Sequence, residues 1–225
     1  MAINLTKGQK IDLRKDTGEK LASFCVGVNW GAIETIKKGL FGSKKIIEDV
    51  DLDLSCIMTD QNGALVDYIY SPEYNGYLRK NNLPLGKLTS QDGALRHSGD
   101  DRKGDQDGDD GLDNEIITVD LNRLNSSIDK IFFFINIYLN SGQNFDFSHV
   151  PYAKIRMYEG TPTRVNKVFS EFDISTDSSF SNQRALILGK LYKRNEEWKF
   201  DAIGDPTDDK IFLQTISTIL NKYAK

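Results

Sequence analysis

The stretch Ile131-Phe132-Phe133-Phe134-Ile135 carries a large apolar side chain at every position. Successive side chains of a β-strand point to opposite faces of its sheet, so a strand with this sequence must be covered on both faces. A strand with one wet face would alternate apolar and polar residues instead. The stretch is therefore predicted to be a central strand of the fold.

Eight further apolar runs surround this stretch, and they are rich in the β-branched and aromatic residues that suit strands. The nine predicted strands span 22–30, 50–58, 64–70, 116–121, 131–139, 153–158, 165–174, 184–192 and 198–203. Turn sequences at 60–63 and 195–197 join neighbouring runs and predict antiparallel hairpins. The pattern predicts an all-β protein, a β-sandwich with long loops formed as a single domain over 1–225.

The C-terminal segment has a helical period. Its apolar residues recur at steps of three and four: Phe212, Leu213, Ile216, Ile219, Leu220 and Tyr223. This spacing predicts a terminal amphipathic helix over 207–224, with Asp208 and Asp209 placed to favour its positive end. The apolar stripe is interpreted as a lid on the core, and docking to a partner is the alternative. Segments 31–48 and 71–88 are predicted to be long loops.

Composition limits the class of protein. The chain has 225 residues, of which 39% are hydrophobic, so it can bury a sizeable core and is too apolar for a disordered tail. Its net charge of −4 offers no basic excess, which argues against nucleic acid as a partner. No signal peptide or transmembrane segment is predicted, so we expect a soluble, cytoplasmic protein. Cys25 and Cys56 fit no zinc spacing and are expected to be buried free thiols.

Three carboxylates alternate with apolar residues at the start of the second predicted strand. In the run from Asp49 to Ser55, the side chains of Asp49, Asp51 and Asp53 share one face. Neighbours on that face stand about 6.6 Å apart, and each pair repels by roughly 2.5 kcal/mol at an effective dielectric near 20. A bound hard cation explains this arrangement best, while a solvated strand face is the alternative.

A second acidic element runs from Gly99 to Glu115 and contains eight acidic residues but only two basic ones. Glycines at 99, 104, 108 and 111 allow the loop to turn carboxylates and carbonyls inward. Oxygen ligands in this number favour Ca²⁺ over Mg²⁺, and the lack of His and Cys disfavours zinc. The spacing does not match an EF-hand, because Asp110 stands where that motif needs Gly. A disordered acidic loop is the alternative.

Enzyme signatures are missing from the sequence, which has no Gly-rich phosphate loop, no GxSxG elbow and no His-rich cluster. The prediction is that the chain is not an enzyme. The alternative is a metal-assisted hydrolase in which the acidic cluster holds a cation that activates water, with His97 as the one obvious base. A structural or surface role is the more ordinary role for that histidine.

Taken in order, several stretches resemble the TerD family of bacterial tellurium-resistance and stress proteins. They are Leu5-Thr6-Lys7-Gly8-Gln9, Val26-Gly27-Val28-Asn29-Trp30, Asp51-Leu52-Asp53-Leu54-Ser55, His97-Ser98-Gly99-Asp100-Asp101 with the loop through Glu115, Ile131-Phe132, Gly189-Lys190-Leu191-Tyr192 and Glu197-Trp198-Lys199-Phe200. The resemblance covers roughly the first 200 residues, and the acidic loop after His97 is its most specific part.

The resemblance implies a β-sandwich whose paired acidic elements bind two Ca²⁺ ions in a cytoplasmic stress-response protein. The family's acidic positions fall on Asp51, Asp53, Asp100, Asp107, Asp109, Asp110 and Glu115; Asp49 matches some members, and Asp101 stands where many have Asn. The residues 111–114 before Glu115 are an addition to the family pattern. The implied partners are other stress or tellurium-resistance proteins, with peripheral association with inner-membrane complexes, and no enzymatic reaction is implied.

Overall fold

The computed structural model describes residues 3–15, 17–39, 42–140, 142–174 and 178–225. The strands are, in chain order, β1 (Ile3–Asn4), β2 (Lys10–Asp12), β3 (Ser23–Trp30), β4 (Ile33–Gly39), β5 (Gly42–Glu48), β6 (Asp51–Thr59), β7 (Leu65–Ile69), β8 (Leu95–His97), β9 (Glu115–Asp120), β10 (Lys130–Tyr138), β11 (Ala153–Thr161), β12 (Arg164–Asp173), β13 (Ala185–Arg194) and β14 (Glu197–Thr207). The helices are α1 (Asn75–Lys80) and α2 (Phe212–Lys222).

Two six-stranded sheets form the sandwich. One has the strand order β1-β12-β11-β3-β9-β8 and the other has the order β2-β14-β13-β10-β6-β7. The pairing is antiparallel throughout these sheets except where β1 lies parallel to β12. Each of the nine strands predicted from the sequence coincides with a strand of these sheets, and the all-β sandwich is confirmed.

The central strand β10 contacts a different apolar cluster on each face. Phe133 packs between the two sheets with Leu52 and Leu54 of β6. Phe132 and Phe134 point the other way, into a second cluster that includes residues of α2. All three phenylalanines are fully buried, so the prediction of a strand covered on both faces is confirmed. The second sheet therefore has a third layer on its outer face.

Helix α2 supplies part of that layer. Phe212, Ile216 and Ile219 are buried against the outer face of the second sheet, so the apolar stripe of the helix is covered within the chain. The helix begins at Phe212 and not at 207, because β14 continues to Thr207. The helix is therefore a lid, as interpreted from the sequence, but it covers the outer face of one sheet and not the core between the sheets.

The prediction of a long loop over 31–48 is wrong. Strands β4 and β5 pair with each other in register from Ile33 opposite Glu48 to Gly39 opposite Gly42, as a separate two-stranded hairpin. Backbone hydrogen bonds hold such a pair without a fully buried face, so the usual apolar alternation is absent from its sequence. The side chains of Lys38, Lys44 and Lys45 are exposed on this hairpin.

The prediction of a loop over 71–88 is also incomplete, because the segment contains a 3₁₀ turn at Pro72–Tyr74 followed by α1. The Ser71 hydroxyl accepts the Glu73 N–H at 3.1 Å and caps this turn. Leu78 of α1 is fully buried in the second apolar cluster. A helix of this length is too short to show a helical period in the sequence, and its N-cap residue Tyr74 makes no capping hydrogen bond, so no local pattern marked it.

The expectation for the two cysteines is confirmed. Cys25 and Cys56 are buried free thiols. Trp30 is fully buried in the core, and its Nε1–H donates to the Val50 carbonyl at 2.8 Å. Within the described ranges, none of the helices combines the length and apolar character needed to cross a bilayer.

Asp205 of β14 anchors both ends of the chain to the second sheet. It accepts hydrogen bonds from Lys7 and, at 3.0 Å, from Lys222 at the end of α2. Tyr223, just beyond the helix, also donates to it. Burial raises the pKa of this carboxyl, but the hydrogen bonds from Lys7, Tyr223 and Lys222 outweigh burial and lower the pKa to about 2. The stabilisation is present above about pH 4 and is lost as the pH falls toward 2.

We expect Asp205→Asn to lower the free energy of unfolding by about 1–2 kcal/mol at neutral pH, because it weakens charge-assisted hydrogen bonds. Between pH 4 and pH 2 the difference from the parent should shrink, since the parent's carboxylate becomes protonated there. Urea denaturation at several pH values measures both. Asp208→Asn, at an exposed position nearby, is the control. A constant difference across this interval would contradict the role of Asp205.

Candidate metal centre

Strand β6 carries two of the predicted carboxylates to positions that are shielded from solvent. Asp51 and Asp53 alternate with Leu52 and Leu54, so the leucines enter the core between the sheets while the carboxylates lie on the outer face. Asp51 is only 7% exposed and Asp53 only 3%. Asp49 precedes the strand, is exposed and accepts the Gln106 Nε2–H at 2.9 Å. The wet strand face considered as an alternative is wrong for Asp51 and Asp53.

Asp100 completes a cluster with these two strand residues. Asp51, Asp53 and Asp100 each offer a carboxylate oxygen that lies within 4.8 Å of the others. The Ser71 hydroxyl donates to Asp100 Oδ1 at 2.8 Å, and the Tyr74 hydroxyl donates to Asp53 Oδ2. Asp51 Oδ1 is buried without a hydrogen-bond partner in the described part of the chain. The cluster therefore contains an acceptor oxygen that the protein itself leaves unsatisfied.

Burial and mutual repulsion disfavour the charged state of this cluster. Burial, followed by the charges of Asp100 and Glu115, raises the pKa of Asp51 to about 8. Burial, followed by the charges of Asp51 and Glu115, holds the pKa of Asp53 well above its ordinary value. With this pKa, the Asp51 carboxyl keeps its proton at neutral pH unless positive charge is placed beside it. The arrangement suits a site that accepts a cation.

Glu115 and His97 hold this edge of the sandwich together. Strand β7 pairs with β6 only from Cys56 to Thr59, so the backbone of Leu54 has no strand neighbour on that side. Glu115 Oε2 accepts the Leu54 N–H at 2.6 Å, and His97 Nε2 lies 3.1 Å from the Leu54 carbonyl. Side chains of the first sheet therefore take the place of a missing strand in the second.

The protonation of His97 follows from its contacts. Gly99 N–H donates to Nδ1 at 3.1 Å, so the ring hydrogen is assigned to Nε2, which donates to Leu54 O. Burial lowers the pKa of His97 to about 4, and the imidazole is neutral at pH 7. Glu115 is also fully buried, and its Oε1 accepts the Asp101 N–H at 3.2 Å. Glu115 thus ties the start of the acidic loop to both sheets.

A second acidic cluster lies on the loop itself. Asp105, Asp109 and Asp110 offer carboxylate oxygens within 4.8 Å of one another. The Tyr152 hydroxyl donates to Asp105 Oδ2 at 2.9 Å, and the Asn29 amide donates to Asp109 Oδ1 at 3.1 Å. Asn29 Oδ1 is buried with no partner among the described residues. The loop therefore has a defined geometry, which argues against the disordered alternative.

The predicted site residues thus divide between two clusters and a supporting framework. Asp51, Asp53 and Asp100 form the buried cluster, while Asp109 and Asp110 belong to the loop cluster. Asp101 Oδ1 accepts the Lys103 N–H at 2.9 Å and so shapes the loop. Glu115 also acts through hydrogen bonds. Asp49 and Asp107 lie in neither cluster.

Sequence reasoning missed several residues at these clusters. Asp105 was not selected, although its period-two spacing with Asp107 and Asp109 was a usable signal. Tyr74 and Ser71 come from the segment predicted to be a loop, and no local pattern points to their contacts with the acidic residues. No pattern in the sequence placed Arg102 at the site either. Its guanidinium lies 3.9 Å from Asp100 Oδ2 at the mouth of the buried cluster.

Comparison with known proteins agrees with this architecture. The TerD domain model matches residues 1–219. The chain belongs to the TerD family. It is 32% identical over 220 residues to stress response protein SCP2 of Bacillus subtilis, covering 96% of this chain and 98% of that protein. It is 31% identical to tellurium resistance protein TerD of Serratia marcescens, covering 91% and 90% respectively. The TerD family is thus one of tellurium-resistance and general stress-response proteins.

A solved structure shows the same fold as this TerD-family chain. The structure of a homologue of TerD from Streptomyces coelicolor A3(2) superposes with a TM-score of 0.59 at 15% identity, covering 91% of this chain and 98% of that one. At this identity the likeness concerns the fold alone. The predicted resemblance to the TerD family is confirmed by the family match and by the named relatives.

The acidic loop depends on a glycine packed against Trp30. Gly104 has a φ of +67°, and a Cβ there would lie 2.5 Å from the indole ring of Trp30. We expect Gly104→Ala to destabilise the protein by about 1–3 kcal/mol, through backbone strain and this collision. Gly108→Ala is the control, since its φ of +96° carries the strain while a Cβ there meets nothing within 4 Å. Equal unfolding free energies for the two variants in urea would contradict the packing argument.

Proposed function

We propose that this chain is a calcium-binding module of the stress response, which acts through Ca²⁺-dependent stabilisation of its acidic edge or through protein interaction. The observation that carries the proposal is the buried cluster of Asp51, Asp53 and Asp100, with Asp51 Oδ1 left without a partner in the described structure. An unsatisfied buried carboxylate oxygen costs free energy, and a cation would remove that cost.

The donor chemistry of both clusters fits Ca²⁺. Every candidate ligand is oxygen, and the two groups lie on different elements, which supports one ion at each. Asp51, Asp53 and Asp100 would hold the first ion. Asp105, Asp109 and Asp110 would hold the second, with the unpartnered oxygen of Asn29 beside them. Ca²⁺ accepts many oxygen ligands in flexible geometry, whereas Mg²⁺ prefers few protein ligands and its own waters.

When bound, Ca²⁺ supplies positive charge that compensates like-charged carboxylates. The residues themselves do the structural part of the work. Asp51 and Asp53 belong to the second sheet, while Asp100 follows β8 of the first. Ligands shared between β6 and the loop after β8 would join the sheets at the edge where Glu115 already bridges them. Such a site couples ion binding to folding.

A non-enzymatic role is part of the proposal, and the geometry of His97 supports it over a metal-assisted hydrolase. A general base needs a free ring nitrogen within reach of a water or substrate. Nδ1 of His97 accepts the Gly99 N–H and Nε2 donates to Leu54 O, so both ring nitrogens are engaged. The side chain is also 2% exposed. His97 is better suited to holding the β6 backbone than to catalysis.

The relatives of this chain are the basis for proposing a biological setting. We place the module in the cytoplasm, in assemblies with other stress or tellurium-resistance proteins and peripherally associated with inner-membrane complexes. The relatives named for tellurium resistance and general stress support the stress-response part of this setting. The exposed lysines of the β4–β5 hairpin give that hairpin a charge suited to an anionic surface.

Substitutions in each cluster test whether both bind Ca²⁺. Asp51→Asn and Asp109→Asn each remove a charge with little change of shape, and each should weaken Ca²⁺ binding at one site at least tenfold, a loss of about 1.4 kcal/mol. Asp173→Asn, at an exposed position outside both clusters, should bind as the parent does. Isothermal titration calorimetry measures the affinity and the number of ions. If both site variants titrate like the control, the calcium proposal is wrong.

Removal of the ion should reverse the effect of Asp51→Asn on stability. With EDTA we expect the variant to melt at a higher temperature than the parent, because the Asp51 carboxyl is ionised in the unfolded chain and must take up a proton on folding, whereas Asn need not. With saturating Ca²⁺ the parent should melt higher, gaining about 2.7 kcal/mol at 100 times the dissociation constant. Differential scanning calorimetry in both conditions tests this crossing. A parent whose melting temperature ignores EDTA would exclude the stabilising role.

A further inference from the structure

A groove runs along the outer face of the second sheet, beside the buried acidic cluster. Its walls are α1 and the residues just before α2, and its floor is the end of β10. Its volume is about 530 Å³, within the roughly 300–1,000 Å³ of pockets that hold small molecules, so its size alone does not identify its ligand. The side chains that line the groove indicate the chemistry of its ligand.

The groove combines apolar and cationic side chains. Tyr77, Tyr138 and Ile211 line it and remain 48%, 40% and 42% exposed, so three large apolar side chains are grouped on this surface. Lys80, Arg184 and Lys210 line it as well, against the single carboxylate of Glu73. Three cations among apolar residues are complementary to an acidic segment with apolar anchors. They are too few to hold a nucleic-acid backbone, which takes many more contacts.

The floor holds an unsatisfied polar atom. Asn136 is 2% exposed, and its Nδ2–H donates to the Thr215 hydroxyl at 2.9 Å. Its Oδ1 has no hydrogen-bond partner in the described ranges, although the residue lines the groove. A buried acceptor without a donor costs free energy. The oxygen itself is shielded from solvent, so binding in the groove rests on the side chains at its surface.

Tyr74 and Tyr138 connect the groove with the acidic cluster, since both line the groove and the mouth of the cluster. The Tyr74 hydroxyl donates to Asp53. The centroid of the Tyr74 ring lies 4.2 Å from that of Phe212 and 5.5 Å from that of Tyr138. A cation on Asp53 would fix the carboxylate that accepts the Tyr74 hydroxyl, and with it the Tyr74 ring that lines the groove. Ion binding would therefore strengthen binding in the groove.

We infer that this groove receives an acidic peptide segment with apolar side chains from a partner protein, and that a cation on Asp51, Asp53 and Asp100 strengthens its binding. The second half of this inference rests on the proposed function. The first half does not, because the cations and apolar residues of the groove are independent of any ion. The inference assigns to this chain a protein-docking surface and the charge of its partner.

The probe is a fluorescently labelled dodecapeptide in which Glu and Asp alternate with Leu and Phe, compared with one carrying Gln and Asn instead of the acids. Fluorescence anisotropy follows the binding of each to the full chain. We expect the acidic peptide to bind at least tenfold more tightly than the neutral one, and at least threefold more tightly in Ca²⁺ than in EDTA. The double variant Lys80→Glu, Lys210→Glu should lose at least tenfold in affinity.

The matched control is Lys38→Glu, Lys44→Glu, which makes the same charge change on the β4–β5 hairpin and should bind the acidic peptide like the parent. Equal affinity for the acidic and neutral peptides, or equal losses in the two double variants, would overturn the docking surface. Equal binding in Ca²⁺ and EDTA would overturn the coupling. If calorimetry shows no Ca²⁺ binding while the acidic peptide still binds in EDTA, the proposed function fails and the docking surface stands.

Discussion

Glu115 accepts hydrogen bonds from the backbone of Leu54 and of Asp101, so one buried carboxylate joins a strand of each sheet and the start of the acidic loop. Strand β6 extends past the end of its neighbour β7, so the backbone of Leu54 has no strand partner on that side. Without other partners its polar groups would lie unpaired in the interior. Glu115 and His97 satisfy its N–H and its carbonyl respectively. The position of both acidic clusters depends on this junction, because it sets where the loop leaves the sandwich.

The same junction explains why negative charge is concentrated at one edge. Asp51 and Asp53 must lie on the outer face of the second sheet, because Leu52 and Leu54 fill the core on the other face. Asp100 follows directly from the segment that His97 anchors. Burial then raises the pKa values of Asp51 and Asp53, and raises that of Glu115 although two backbone N–H groups donate to it. Carboxyls placed this way resist ionisation, and the proposed cation would compensate their negative charge.

The layer on the outer face of the second sheet forms an apolar and cationic groove beside the acidic edge. Phe132 and Phe134 of β10 require cover on their outer side, and the segment containing α1 and helix α2 provide it. The two covering pieces do not close completely over the end of β10, where Asn136 and Tyr138 form the floor of the groove. Because Tyr74 contacts both Asp53 and Phe212, the groove and the acidic cluster share one wall.

The sequence by itself determined the elements with a strong local signal. The all-apolar stretch at 131–135, the alternating acids before Leu54 and the helical period after residue 211 each identified an element, because side-chain periodicity depends only on neighbours along the chain. The glycine-spaced acidic loop and its match to the TerD family could be found in the same way. The hairpin of β4 and β5 escaped, since its exposed strands carry no pattern of burial.

Only the tertiary structure decided which acids meet. Asp49 and Asp51 look equivalent in sequence, yet β6 begins at Asp51 and carries it into the interior while Asp49 remains exposed. Asp100 reaches Asp51 and Asp53 because β8 and β6 lie in different sheets that come together at this edge. Contacts across such distances along the chain depend on sheet packing, and no local spacing encodes them. The bond from Tyr74 to Asp53 arises from that packing too, because the outer layer alone brings the two side chains together.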